Sequence, residues 1–145
     1  MPTRKPAISG DSILTGTYFI QNVHYLTFLE LRDPNDTYKV FSDEEKNLKN
    51  NNKLQQWDIV DLGYGKFSIV NSGSKSNANW GFGAQKRSAI VDRSNRRSTG
   101  PGVYTIQPTD VDVYWGLFNN QRTTLVELYA DPYSDKNQWY IIPVN

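Results

Sequence analysis

Apolar and polar positions alternate along this chain in short bursts and do not recur at helical spacing. The runs TYFIQNV, QWDIVDL, KFSIVN, VYTIQP, TLVELYA and QWYIIPV are rich in β-branched and aromatic residues, and Gly, Asn, Asp and Pro stand between them. Period-two alternation bounded by turn residues predicts strands, so the chain is expected to be all-β. The stretch FSDEEKNLKNNNKLQQW carries no apolar stripe. It reads as a long polar loop with at most one helical turn.

The bursts repeat. GTYFIQNV from Gly16, GKFSIVNS from Gly65 and GVYTIQPT from Gly102 each run Gly, any residue, aromatic, any residue, Ile. A second strand with a bulky residue follows each: Leu29 and Trp115 lie nine residues beyond their Ile, and Trp80 lies eleven beyond. Third strands are read in YKVFSD, SAIVDR and TLVELYA. Two repeats close on a Gln-Trp strand, QQWDIV (Gln56, Trp57) and NQWYII (Gln138, Trp139). The middle repeat is expected to close at residues 94–99, where SNRRST holds no tryptophan. Three repeats of four strands specify a β-trefoil, a barrel with a hairpin-triplet cap, because no single repeat buries its own apolar face. The expected organisation is a flexible N-terminal segment at 1–14 and one domain at 15–145, with repeats at about 16–62, 63–100 and 101–145. Trp57 and Trp139 are expected in the core.

Composition narrows the chemistry. The 145 residues are one domain's worth of chain, with four Trp, nine Tyr and six Phe. The absence of cysteine excludes a disulfide scaffold and thiolate chemistry. A net charge of +1 gives no field that draws nucleic acid. The stretch MPTRKPAISGDSIL has no signal-peptide core, and no run approaches the roughly 18 apolar residues of a membrane span. A soluble cytoplasmic protein without membrane insertion is therefore expected. The one histidine, His24 in NVHYL, leaves no His-based metal site and reads as a solvated turn residue. GYGKFS lacks phosphate-loop spacing and leads into a strand, so it reads as a hairpin turn. DPND and DPYSD fail calcium-loop spacing and carry turn chemistry instead. The Asp43-Glu44-Glu45 run reads as a solvated loop, and the sequon at Asn35 is expected to stay bare without a secretion signal. No enzyme activity, metal or cofactor is expected.

Binding is the remaining class. In NSGSKSNANWGFG, Trp80 stands among Ser74, Ser76, Asn77 and Asn79 and is followed by Gly81. Two readings stay open for Trp80. The repeat makes it the counterpart of Leu29 and Trp115, a core slot. Its polar neighbours make it a platform for the apolar face of a sugar ring, with nearby amides bonding hydroxyls. Trp115 sits among Val113, Tyr114, Leu117 and Phe118 and reads as core. The middle repeat also collects Lys86, Arg87, Arg93, Arg96 and Arg97 against Asp92 alone. These are solvated loop cations, or contacts for an anionic glycan or an acidic surface.

The segments NSGSKSNANWGFGAQKRSAIV and GVYTIQPTDVDVYWGLFNNQRTTLVELYADPYSDKNQWYII resemble the small fungal β-trefoil lectins of the ricin-B-like class. The similarity runs from about Gly16 to the C-terminus and is greatest to the nematotoxic mushroom lectins that bind fucosylated N-glycan cores. The resemblance implies a defence lectin for GlcNAc- or fucose-containing glycans and glycoproteins, as monomer or homodimer. It implies one shallow site in the second repeat, built from Trp80, Gly81, Asn79, Ile90, Val91, Asn95 and Arg96. Where those lectins carry an aromatic loop, DRSNRRST is shorter and places Arg96 and Arg97. Guanidinium groups there suit hydroxyls or acidic sugars. A second resemblance, to fungal β-trefoil protease inhibitors of the mycocypin and mycospin types, implies a basic loop entering a serine or cysteine protease. Arg32, or Lys86 and Arg87, would supply it.

Overall fold

The computed structural model describes residues 13–31, 40–45, 53–63, 65–73, 88–93, 102–108, 112–121 and 124–144; within 88–93 it describes the backbone and the Val91 side chain. Its strands are β1 (Gly16–Asn22), β2 (Phe28–Glu30), β3 (Phe41–Asp43), β4 (Trp57–Gly63), β5 (Lys66–Asn71) and β6 (Ser88–Arg93). They continue with β7 (Val103–Pro108), β8 (Tyr114–Gly116), β9 (Thr124–Leu125), β10 (Glu127–Tyr129) and β11 (Trp139–Pro143). Two 3-10 turns, Lys53–Gln55 and Asp135–Asn137, lead into β4 and β11. No helix among the described residues is long and apolar enough to cross a membrane.

Six antiparallel strands close a ring in the order β1, β4, β5, β6, β7, β11 and back to β1. The short strands β2, β3, β9 and the pair β8–β10 form the cap. This is the expected β-trefoil. First strands alternate as the template requires: Tyr18 and Ile20, Phe67 and Ile69, Tyr104 and Ile106 all point into the core. The template's glycine has more than one cause. At Gly102 an added Cβ would lie 2.6 Å from the Tyr104 ring, which folds back over it. At Gly65 the backbone takes φ +78°, which closes the β4–β5 hairpin and favours glycine.

Trp57 and Trp139 are fully buried, as their recurrence predicts. Each indole Nε1–H donates to a second-strand carbonyl of its own repeat, Trp57 to Leu29 at 3.1 Å and Trp139 to Trp115 at 3.0 Å. Burying an aromatic of this size contributes about 3 kcal/mol, provided its polar atom is satisfied. Ile13, ahead of the expected domain boundary, also packs in this core.

The middle repeat departs from expectation. SAIVDR is not its third strand; as β6 it fills the fourth-strand place in the barrel. The register fixes this. Val91 pairs with Ile106 as Ile59 pairs with Ile69 and Ile141 with Ile20. Ala89 therefore stands where the other repeats hold Trp57 and Trp139. It faces Pro108, whereas Trp57 faces Asn71 and Trp139 faces Asn22. Both buried asparagines reach across to the preceding repeat's turn: Asn71 Nδ2 donates to the Leu54 carbonyl and Asn22 Nδ2 to the Lys136 carbonyl, both at 2.9 Å. At the middle repeat the tryptophan and its facing asparagine are replaced together.

Candidate functional site

Most residues expected to bind, Trp80, Gly81, Asn79, Asn95 and Arg96, lie outside the described residues, as do Arg32, Lys86 and Arg87. Ile90 holds a backbone position opposite Lys66 and Gln107. Val91 is 6% exposed and packs in the barrel core. The barrel register also bears on Trp80. Between β5 and β6 the chain has only residues 72–87, half the length spent at 23–56 and 109–138. Leu29 and Trp115, both fully buried, sit far ahead of their fourth strands. Trp80 lies nine residues before Ala89. Counted along the sequence from the fourth strand, the spacing of Trp80 differs from theirs.

The described surface carries a different site, in the third repeat. The Leu117 side chain turns into the core, and the next residue, Phe118, is 73% exposed. Trp115 is fully buried, as its neighbours suggest, while Phe118 among those neighbours stands outside. Phe118 forms one wall of a shallow cleft of about 540 Å³, with Asn119, Gln121, Thr124, Glu127 and Tyr129 around it. Asn119 Oδ1 accepts from the Gln121 N–H at 2.9 Å and lies 2.8 Å from Thr124 Oγ1, so the carboxamide is held in one orientation. The Tyr129 hydroxyl donates to Glu127 Oε1 at 3.4 Å. Burial, then the Glu127 charge and that hydrogen bond, push the Tyr129 phenol above its ordinary range. It therefore remains a neutral donor at neutral pH.

The cleft is braced from the first repeat. The Tyr25 hydroxyl donates to the Phe118 carbonyl at 3.0 Å. Tyr25 is held by the β1–β2 turn, where its N–H and that of His24 both donate to Asn22 Oδ1. Lys136 Nζ lies 6.0 Å from the centre of the Tyr25 ring. His24 is exposed, as a turn residue should be, and its Nδ1 lies 3.0 Å from Asp135 Oδ1. No group of three His, Cys, Asp or Glu side chains among the described residues is placed to hold a metal. The Trp115-Gly116 pair has a packing cause: a Cβ on Gly116 would collide with the Asn137 side chain and lie 2.7 Å from the Tyr129 ring. An exposed ring, the fixed Asn119 amide, a second amide at Gln121, a hydroxyl and a carboxylate around a shallow cleft are the groups that stack on and hydrogen-bond a polyol.

The sequence signal for this site is FNNQ, an aromatic followed by amides, a composition like that around Trp80. The apolar run ahead of Phe118 concealed it.

No protein-family model matches the sequence, and no curated protein matches it. Solved structures do. The Macrolepiota procera ricin B-like lectin in complex with lactose superposes with TM-score 0.71 at 17% identity, covering 92% of this chain and 99% of that one. The Rhizoctonia solani agglutinin gives TM-score 0.71 at 18% identity, over 92% of this chain and 98% of that one. A proteinase inhibitor from Coprinopsis cinerea gives TM-score 0.67 at 13% identity, over 92% of this chain and 100% of that one. The likeness is one of fold, the β-trefoil.

Proposed function

We propose that this chain is a non-catalytic carbohydrate-binding β-trefoil, a lectin for complex glycans. The observation that carries the reading is Phe118, a large aromatic left 73% exposed at the edge of a polar cleft that holds the fixed Asn119 carboxamide. Lactose in the Macrolepiota procera structure supports the ligand class. The sequence resemblance supports GlcNAc- or fucose-containing N-glycans and a role in defence. It also supports a second contact at the middle repeat through Trp80, Gly81, Asn79, Asn95 and Arg96. A shallow open site binds a single sugar weakly, so affinities of about micromolar or poorer are expected, raised by clustered glycans.

Calorimetric titration against an N-glycan panel tests this with wild type, Phe118→Ala and Trp80→Ala. The expected outcome is glycan binding that Phe118→Ala weakens by at least tenfold, about 1.4 kcal/mol. Binding to no glycan, together with inhibition of trypsin or papain that Arg32→Ala or Lys86→Ala abolishes, overturns the lectin reading in favour of an inhibitor.

A further inference from the structure

A second groove, of about 410 Å³, opens on the barrel wall between β1 and β4, lined by Thr17, Lys53, Gln56, Asp58 and Ser72 with Val60 at its edge. The repeat shows what is particular about it. The strand pair Thr17↔Asp58 corresponds to Lys66↔Ile90 and to Val103↔Tyr140. The bond from Ser72 N–H to the Gln56 carbonyl corresponds to that from Val23 N–H to the Gln138 carbonyl. The third-repeat equivalents of Thr17, Asp58 and Ser72 are thus Val103, Tyr140 and Val23. At the first repeat alone the place is polar throughout. There the Thr17 and Ser72 hydroxyls both donate to Asp58 Oδ1, at 2.8 and 2.6 Å, and fix the carboxylate.

Gln56 is the second, independent observation. It is 8% exposed. Its backbone N–H is taken by the Lys53 carbonyl and its carbonyl by Ser72 N–H, which leaves the carboxamide to line the groove. The equivalent Gln138 turns its Nε2 onto the Pro132 carbonyl at 3.0 Å. The Gln56 carboxamide has no hydrogen-bond partner among the described residues. The carboxamide therefore meets the solvent of the groove, with its donor and acceptor available to a ligand.

We propose that this groove binds an amide-bearing, hydroxyl-rich unit, an N-acetylhexosamine. The proposal rests on the carbohydrate reading and adds a site separate from the Phe118 cleft. A carboxamide is the complement of an acetamido group: Gln56 Oε1 accepts its N–H and Gln56 Nε2 donates to its carbonyl. Asp58, its carboxylate oriented by the Thr17 and Ser72 hydroxyls, lines the groove beside Gln56 and accepts from a ring hydroxyl. The Lys53 ammonium donates to another at the rim. Val60, 39% exposed, offers apolar surface to the acetyl methyl.

Titration by 1H–15N NMR with N-acetylglucosamine, and with glucose as control, tests it on wild type, Gln56→Met and Asp58→Asn. Gln56→Met keeps length and volume and removes the amide. The expected result is a saturable shift of the Gln56 side-chain amide with N-acetylglucosamine, at least tenfold weaker for glucose. Gln56→Met and Asp58→Asn should each weaken the N-acetylglucosamine response tenfold, read on neighbouring backbone amides. A Gln56 resonance that does not move, or that moves equally for both sugars, overturns the proposal from wild type alone. Glycan binding that Phe118→Ala abolishes, with the groove silent, overturns this site and leaves the lectin reading standing. Silence at both sites overturns both.

Discussion

Asn22 gives the sharpest test of how the repeats are joined. It is fully buried, and its side chain closes three hydrogen bonds between the first and third repeats and within the turn that holds Tyr25. Nδ2 donates to the Lys136 carbonyl at 2.9 Å; Oδ1 accepts from His24 N–H at 3.0 Å and from Tyr25 N–H at 2.9 Å. Asn22→Ala removes all three. The Lys136 carbonyl keeps the Leu117 N–H at 3.1 Å. The cost is therefore the net value of the bonds, about 1 kcal/mol each and about 3 kcal/mol together. For a domain of this size that lowers the melting midpoint by about 6–12 °C. Asn71→Ala removes at least the bonds to the Leu54 carbonyl and from the Gly73 N–H, and should cost about 2 kcal/mol or more. Scanning calorimetry and urea unfolding measure both. A loss below about 0.5 kcal/mol for Asn22→Ala, the size of an ordinary surface change, refutes the idea that these asparagines tie one repeat to the next.

Three further outcomes follow from the geometry. Gly102→Ala drives a methyl into the Tyr104 ring, whereas at the equivalent Gly16 the nearest ring atom stands 3.5 Å away. Gly102→Ala should thus cost about 1–3 kcal/mol more than Gly16→Ala in urea unfolding, and equal losses would show that ring clearance does not set this glycine. Tyr25→Phe removes the hydroxyl that bonds the Phe118 carbonyl, and should weaken glycan binding severalfold with a stability loss of only about 1 kcal/mol; unchanged binding argues against the brace. Because the folded-state pKa of Tyr129 is raised, its contribution to stability is whole below pH 10 and declines as pH rises through the folded value. Wild type should accordingly lose stability faster than Tyr129→Phe above pH 10, and parallel curves would contradict the assignment.

Much of the fold was legible because its signals are local. Gly-x-aromatic-x-Ile marks each first strand, and Gln-Trp marks the fourth strand of the two outer repeats, since an indole that must reach a carbonyl of its own repeat leaves a recognisable residue. In the middle repeat that residue is Ala89, and Ala-Ile-Val looks like any apolar strand. Nothing local distinguishes a third strand from a fourth, so by its sequence SAIVDR reads as a third strand although it pairs as a fourth. The candidate cleft was less legible. Trp115, Leu117 and Phe118 form one apolar run, yet the first two are buried and Phe118 is exposed. The chain leaves β8 at Gly116, and which side chains then face inward depends on where the Asp135–Asn137 turn packs.

Local patterning is enough to show a threefold all-β chain, to mark where its first strands begin, and to put Trp57 and Trp139 in its core. Those features follow from alternation, turn chemistry and repetition, all of which act over a few residues. Tertiary structure alone decided which strand closes the middle repeat, that Val91 faces the barrel interior, and that Phe118 and Gln56 border open space. These depend on pairing and packing between segments far apart in the chain. In a strand register, one residue's slip turns every side chain to the other face.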